Sequence, residues 1–396
     1  SQGGTQPVLF TTIPMSFGND GIRPEKKHEF EFGLESRMMN NRITVEASYY
    51  NAQVRDQILG QTLPATSGAT SILTNIGTLR NSGLEGMASI VAIQNKNLKW
   101  ETGVNIAKNW NKVEALAPGL TELLHADYDG NAAQLKSVVG RPMGDFYAHP
   151  IATNSKGEKI VDPNGLYKVD ANSMVKVGNA MPKVVGGWFN TISYKQFTLD
   201  AMIDYRYGGH VMPTGIYWMM GRGLLEESLQ WMDAEHGGLK YYYDPVSKKG
   251  VATTGSAGPN GEPVYNDGIL LDGVLADGSK NTNITSASNY FWTVYNWGGP
   301  QYSPNTRYEL YVNKNTYVKF REITLTYRLP QNVATKIGAR SLQLSVFGRN
   351  LFYLYRTIKN MDAEQTTSGS RWAQTLNNIG TNPSTRTYGI SLRAGF

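Results

Sequence analysis

The feature that most constrains this chain is the period-two alternation of its apolar residues. In FTLDAMIDYRY, Phe197, Leu199, Ala201, Ile203 and Tyr205 fall on one face, and Thr198, Asp200, Met202, Asp204 and Arg206 on the other. RITVEASYY repeats the pattern, with Ile43, Val45, Ala47 and Tyr49 opposite Thr44, Glu46, Ser48 and Tyr50. HEFEFGLES sets Phe30, Phe32 and Leu34 against Glu29, Glu31 and Glu35, and LKWETGVNIAK gathers Leu98, Trp100, Val104 and Ile106. RSLQLSVFGRN and RTYGISLRAGF behave alike. Alternation of this kind specifies strands with one apolar and one polar face, and roughly 9–11 residues suffice to cross a bilayer at a tilt. In YVKFREITLTYRL the apolar face shifts from Val318 and Phe320 to Ile323, Leu325 and Tyr327, which predicts a β-bulge near Arg321. VVGGWFNTISY offers apolar residues to both sides.

The connections alternate in length. Short links fall at Met39-Asn40-Asn41, at Gln94 to Asn97 and at Lys195-Gln196, with LPQNVATKIGA of middle length; long ones cover roughly 52–77, 110–183, 207–314 and 351–384. Short turns on one side and long loops on the other are the periplasmic and extracellular asymmetry of outer-membrane barrels. Segments beginning near 27, 42, 79, 98, 184, 197, 315, 341 and 385 give about nine spanning strands. An open sheet of that size has two edges that lipid cannot satisfy. The expectation is therefore an all-β fold, a transmembrane antiparallel β-barrel of which residues 1–396 supply about nine to ten strands. The remaining barrel strands must come from elsewhere, and 207–314 is the main extracellular loop region.

Composition narrows the alternatives. Charged residues make up 18%, below the roughly 25% of an average soluble domain. Mean hydropathy is −0.38, and no apolar run is long enough for a spanning helix. A soluble β-sandwich shares these averages but has no reason to sort its loops by side. Absent cysteine excludes disulfides, thiolate metal sites and cysteine nucleophiles. The net charge of +6 is scattered, so no nucleic-acid surface is expected. SQGGTQPVLF has no charged n-region followed by an apolar core, and an exported protein is then expected to begin elsewhere.

Catalysis finds little support. His28, His125, His149, His210 and His236 are scattered, without zinc spacing, a Gly-x-Ser-x-Gly elbow or a P-loop. Glu46, Asp200 and Asp204 are read as lumen-facing charges set against Arg206 or Arg37, not as a glycosidase pair. Asp267-Gly268, Asp272-Gly273 and Asp277-Gly278 are read as turns, not as a calcium site. No metal or cofactor is expected. Within 207–314, the aromatics Tyr217, Trp218, Trp231, Tyr241, Tyr242, Tyr243, Trp292 and Trp297 are candidates for stacking on a ligand or partner, or for packing the loop. GIYWMMGRGLLEESLQWMDAEH predicts a short helix burying Leu224, Leu225, Leu229 and Trp231.

Several phrases carry a family resemblance. They are IRPEKKHEFEFGLESRMMNNRITVEASYYNAQVRDQIL, NIGTLRNSGLEG, NLKWETGVNIAKNWNKVEAL, MPKVVGGWFNTISYKQFTL, YVKFREITLTYRLP, SLQLSVFGRNLF and the ending TRTYGISLRAGF. In this order they resemble the C-terminal barrel region of the SusC/RagA family, TonB-dependent transporters of Bacteroidetes outer membranes. Asn81-Ser82-Gly83 reads as a bend, and Gly348-Arg349-Asn350 as a strand end before an aromatic girdle of Leu351, Phe352, Tyr353 and Tyr355. Tyr388, Ile390, Leu392 and the final Phe396 resemble the signal read by the outer-membrane assembly machinery. The resemblance implies TonB-dependent import of an oligosaccharide or peptide at the cell outer membrane, in contact with lipid and lipopolysaccharide. It also implies a SusD-like lipoprotein outside and a barrel of about twenty-two strands closed by a plug on which TonB acts. No plug is legible here. A passive porin and a surface-exposed carbohydrate-binding adhesin are the rival readings.

Overall fold

The computed structural model describes residues 16–62, 65–69, 71–364 and 383–396. Nine strands form one antiparallel sheet in which each pairs with its sequence neighbours. They are β1 (Lys26–Met38), β2 (Ile43–Thr62), β3 (Ser71–Gln94), β4 (Leu98–Leu116), β5 (Val184–Tyr194), β6 (Phe197–Tyr207), β7 (Tyr317–Arg328), β8 (Ser341–Arg356) and β9 (Thr387–Gly395). Among the described residues β1 and β9 each keep one unpaired edge. Among the described residues the sheet does not close on itself.

Register explains why alternation was the decisive signal. Cross-strand partners place Ile93, Trp100, Ile192, Leu199, Leu325, Val346 and Ile390 in a single row from β3 to β9. A second row runs Leu34, Ala47, Gly86 and Ile106 across β1 to β4. Most of these side chains are exposed, Ile390 by 74%. A water-facing surface does not gather branched aliphatics in rows, so this face is built for an apolar surround. A one-residue slip in any strand would turn its row inward.

The bulge at Arg321 is present. Met202 pairs with Glu322 and Ile203 with Phe320, so Arg321 is the extra residue on β7, and apolar side chains above and below it share one face. The tight turns also match their residues. Met39, Asn40, Asn41 and Lys195 all adopt positive φ, and the Asn95 side chain accepts the backbone N–H groups of Asn97 and Leu98 at 3.0 and 2.9 Å. The middle-length link holds a short helix, α3 (Gln331–Lys336), which packs Ala334 against Ala339 and Leu342.

Several expectations need correction. The link at 52–77 is mostly strand: β2 has 20 residues and β3 has 24, well beyond one bilayer crossing. Asn81-Ser82-Gly83 makes no bend, because β3 runs straight through it. A Cβ at Gly83 would collide with the Tyr50 ring, so the glycine makes room for an aromatic on the neighbouring strand. Gly348-Arg349-Asn350 does not end its strand either; Asn350, at φ +53°, bulges β8, which continues to Arg356. Of the supposed girdle, Leu351 is buried and Tyr353 faces the polar side, while Phe352 and Tyr355 are exposed. Asp267-Gly268 lies inside a strand.

The long connections are folded bodies. Between β4 and β5 lies a four-stranded antiparallel sheet of Glu122–Tyr128, Ala133–Val138, Asp145–Ala148 and Val175–Asn179. Between β6 and β7, Leu239–Tyr243, Gly250–Ala252, Val264–Leu270 and Ile284–Ser286 close into a small barrel. This second body also carries α1 (Thr214–Gly221) and α2 (Ala287–Val294), the latter capped by Ser286. The two-residue pair His210–Val211 with Asn313–Lys314 ties its base beside β6 and β7. The principal buried clusters lie in these connections, not on the great sheet.

Candidate binding surfaces

The polar face of the great sheet carries one dense ionic cluster. Arg321, pushed out by the bulge, pairs with Asp204 on β6 and with Glu364, a residue of the β8–β9 connection. Glu364 also pairs with Lys319, which is only 2% exposed. Nearby, Asp362 accepts hydrogen bonds from the Tyr353 and Ser384 hydroxyls and from the Ser384 N–H at 2.7 Å. Burial pushes the Asp362 carboxyl up, but these donors outweigh it and hold it down at about 2. The connection is thus pinned to the sheet by two ionised carboxylates. Elsewhere on this face, Glu46 stands opposite Glu35, and Asp200 accepts from the Thr191 hydroxyl at 2.7 Å.

The connection between β6 and β7 holds the aromatics. Tyr217 stacks on Tyr295 and Tyr311 with centroids 5.7 and 4.5 Å apart, inside a buried cluster. Trp231 packs edge-on to Tyr290 at 5.4 Å, and Tyr241 is buried against Tyr243 and Tyr265. Burial raises the Tyr217, Tyr241, Tyr295 and Tyr311 phenols above the ordinary tyrosine range. The Tyr311 hydroxyl donates to the Asn296 carbonyl at 2.9 Å. Trp218, Trp292, Trp297 and Tyr243 are exposed. The Arg222 guanidinium carbon lies 4.3 Å from the ring centroid of Trp218 and 4.6 Å from that of Trp292.

Residues 1–218 match the family model described as "TonB dependent receptor-like, beta-barrel". The chain belongs to this family. A TonB-dependent receptor of Formosa agariphila is 23% identical over 96% of the chain. The TonB-dependent receptor SusC of Bacteroides thetaiotaomicron is 25% identical over 47% of the chain and 20% of its own length. A solved structure of the RagAB peptide transporter superposes with a TM-score of 0.58 and 18% identity over 93% of the chain, a likeness of fold. The SusC/RagA resemblance of the strand phrases agrees with these matches. The chain spans 35% of the length of the Formosa relative and 35% of the RagAB chain.

In this receptor barrel the aromatics separate by burial. Tyr217 and Tyr241 are buried, and Trp231 is partly buried against a second cluster that holds Tyr290 and Phe291. Tyr242 is half-buried. The helix expected around them stops early: Gly223 takes φ +69° just past α1, and Leu224 is 65% exposed on the turn beyond. Leu229 is exposed as well, and Ser228 takes the buried place. Asp204 pairs with Arg321, not Arg206, whose guanidinium instead donates to the Ala180 carbonyl at 3.4 Å. Sequence reasoning missed Arg222, Lys319 and Glu364. The four-residue spacing of Trp218 and Arg222 was legible; Glu364 lies 43 residues from Arg321 and left no local signal.

Proposed function

We propose that this chain is the C-terminal sector of an outer-membrane barrel that imports an oligosaccharide or peptide with energy delivered through TonB. The observation that carries the reading is the apolar row running unbroken across β3 to β9 in a sheet whose two edges stay open among the described residues. Lipid tolerates neither edge, so the strands that close the barrel belong to the rest of the protein, as does the plug on which TonB would pull. The polar face, with Glu46, Asp200, Asp204 and Arg206, then lines the lumen. The bodies inserted after β4 and β6 face the outside, where a SusD-like lipoprotein would cap them. Tyr388, Ile390 and Leu392 on β9, with Phe396 beyond, present the apolar surface the assembly machinery would read. Membership of a receptor family supports transport without catalysis, and the RagAB likeness supports the import class.

The test is uptake in the native bacterium. Deleting the whole gene should abolish growth on one class of oligosaccharide or peptide, and a protonophore should stop uptake in the wild type. Undiminished uptake after deletion would overturn the reading. Protonophore-resistant uptake would leave a passive porin.

A further inference from the structure

In the connection between β6 and β7, Arg222 is set against indole rings and not against a carboxylate among the described residues. Arg222 caps the C-terminus of α1, four residues after Trp218, so both leave the same side of the helix. α2 brings Trp292 to the same guanidinium. The two indoles meet through the cation and not through each other. Guanidinium stacked on indole faces keeps only its N–H edge for hydrogen bonding. That edge makes a single long bond, from Nη1 to the Tyr295 carbonyl at 3.5 Å. Among the described residues Arg222 enters no ion pair, whereas Arg307, Arg321 and Arg349 each hold a carboxylate. The nearby Glu227 receives the Asn360 amide at 3.1 Å instead.

Trp218 and Trp292 remain 42% and 53% exposed, so flat apolar surface lies open beside unspent N–H donors. A guanidinium edge takes a carboxylate through two parallel hydrogen bonds. A uronic acid joins that carboxylate to a pyranose ring whose C–H face is flat, which matches an indole beside a cation within the span of one residue. A peptide carboxylate hangs from an open chain and not from a ring with such a face.

We propose that Trp218, Arg222 and Trp292 form an outer subsite for an acidic sugar residue of the imported solute. The carboxylate sits on the Arg222 edge and the sugar ring lies against an indole. This rests on the import reading and narrows it to uronate-bearing oligosaccharides.

The experiment titrates the full-length transporter, purified in detergent, with a short oligogalacturonate and with a neutral galactose oligomer of equal length. The acidic oligomer should bind about tenfold or more tightly than the neutral one. Arg222→Gln should weaken it by about tenfold to a hundredfold, and Trp292→Ala by about tenfold, while both variants keep the heat-modifiable gel mobility of a folded barrel. Arg222→Lys should restore part of the loss. Equal affinity in wild type and Arg222→Gln would overturn the subsite, as would tighter binding of an acidic peptide or no binding of oligogalacturonate. If the deletion strain still loses uptake in any of those cases, the import reading stands and the subsite alone falls. If the deletion strain keeps all uptake, the import reading itself falls.

Discussion

Lys319 and Asp204 are direct cross-strand partners, yet neither pairs with the other: Lys319 binds Glu364, and Asp204 binds Arg321. Lys319 and Arg321, two residues apart on β7, share the polar face, and the bulge leaves Arg321 there with no cross-strand partner on β6. Two cations side by side need a second carboxylate. Glu364 supplies it from the connection after β8, so the charges alternate and the connection is held to the wall.

Removing that carboxylate should therefore cost more than an ordinary surface ion pair. Glu364→Gln leaves Lys319 buried without its ion-pair partner, and the loss should be about 2–3 kcal/mol. The readout is the temperature at which the detergent-solubilised barrel loses its folded gel mobility. An unchanged transition would mean that the cluster contributes nothing net. Asp204→Asn should have a smaller effect, since Arg321 keeps Glu364.

The two faces of β8 make opposite demands. Val346 belongs to the apolar row, and Ser345 beside it points the other way, toward Thr326 at 2.9 Å. Val346→Arg should cost about 2–4 kcal/mol if it meets lipid near mid-membrane. Ser345→Arg, facing water, should be nearly neutral. Comparing the folded fraction of each variant in outer membranes decides the assignment; equal tolerance would reverse it.

The sheet after β4 should soften in acid. Burial pushes the His125 imidazole down from 6.5 to about 4, and its Nε2 lies 2.8 Å from the Ser137 hydroxyl. The folded form binds fewer protons than the unfolded form between those two values. Stability is thus complete above pH 6.5 and falls as the pH drops toward about 4, by up to about 2 kcal/mol near pH 5. Amide exchange across 122–138, corrected for its intrinsic pH dependence, should show this loss. His125→Gln should remove it.

Alternation made the great sheet legible, because a strand buried on neither side still sorts its residues by solvent. The shift from Phe320 to Ile323 even located the bulge. Alternation marks the third strand only from near 79 and not from Ser71, because SILTNIGT, reaching beyond the bilayer, has no reason to alternate. The bodies at 117–183 and 207–314 were opaque for a related cause. Their short strands pack around aromatics such as Tyr217 and Phe146, which sit in a core through non-local contacts that no period reveals. Trp218 and Trp292 are legible as residue types, but the cation joining them is set only by the packing of α1 against α2.

Gly83 offers the sharpest test of packing on the polar face. The Tyr50 ring lies over its α-carbon, and the Tyr50 hydroxyl donates to Asn109 at 3.1 Å on the strand beyond. Gly83→Ala would drive a methyl into that ring and force Tyr50 off Asn109, at a cost of about 1–3 kcal/mol. Tyr50→Ala should cost less, because the space it leaves opens toward solvent. The pair Gly83→Ala with Tyr50→Ala should then be more stable than Gly83→Ala alone, since the clash is gone. A double variant whose losses simply add would show that the glycine serves the backbone and not the ring.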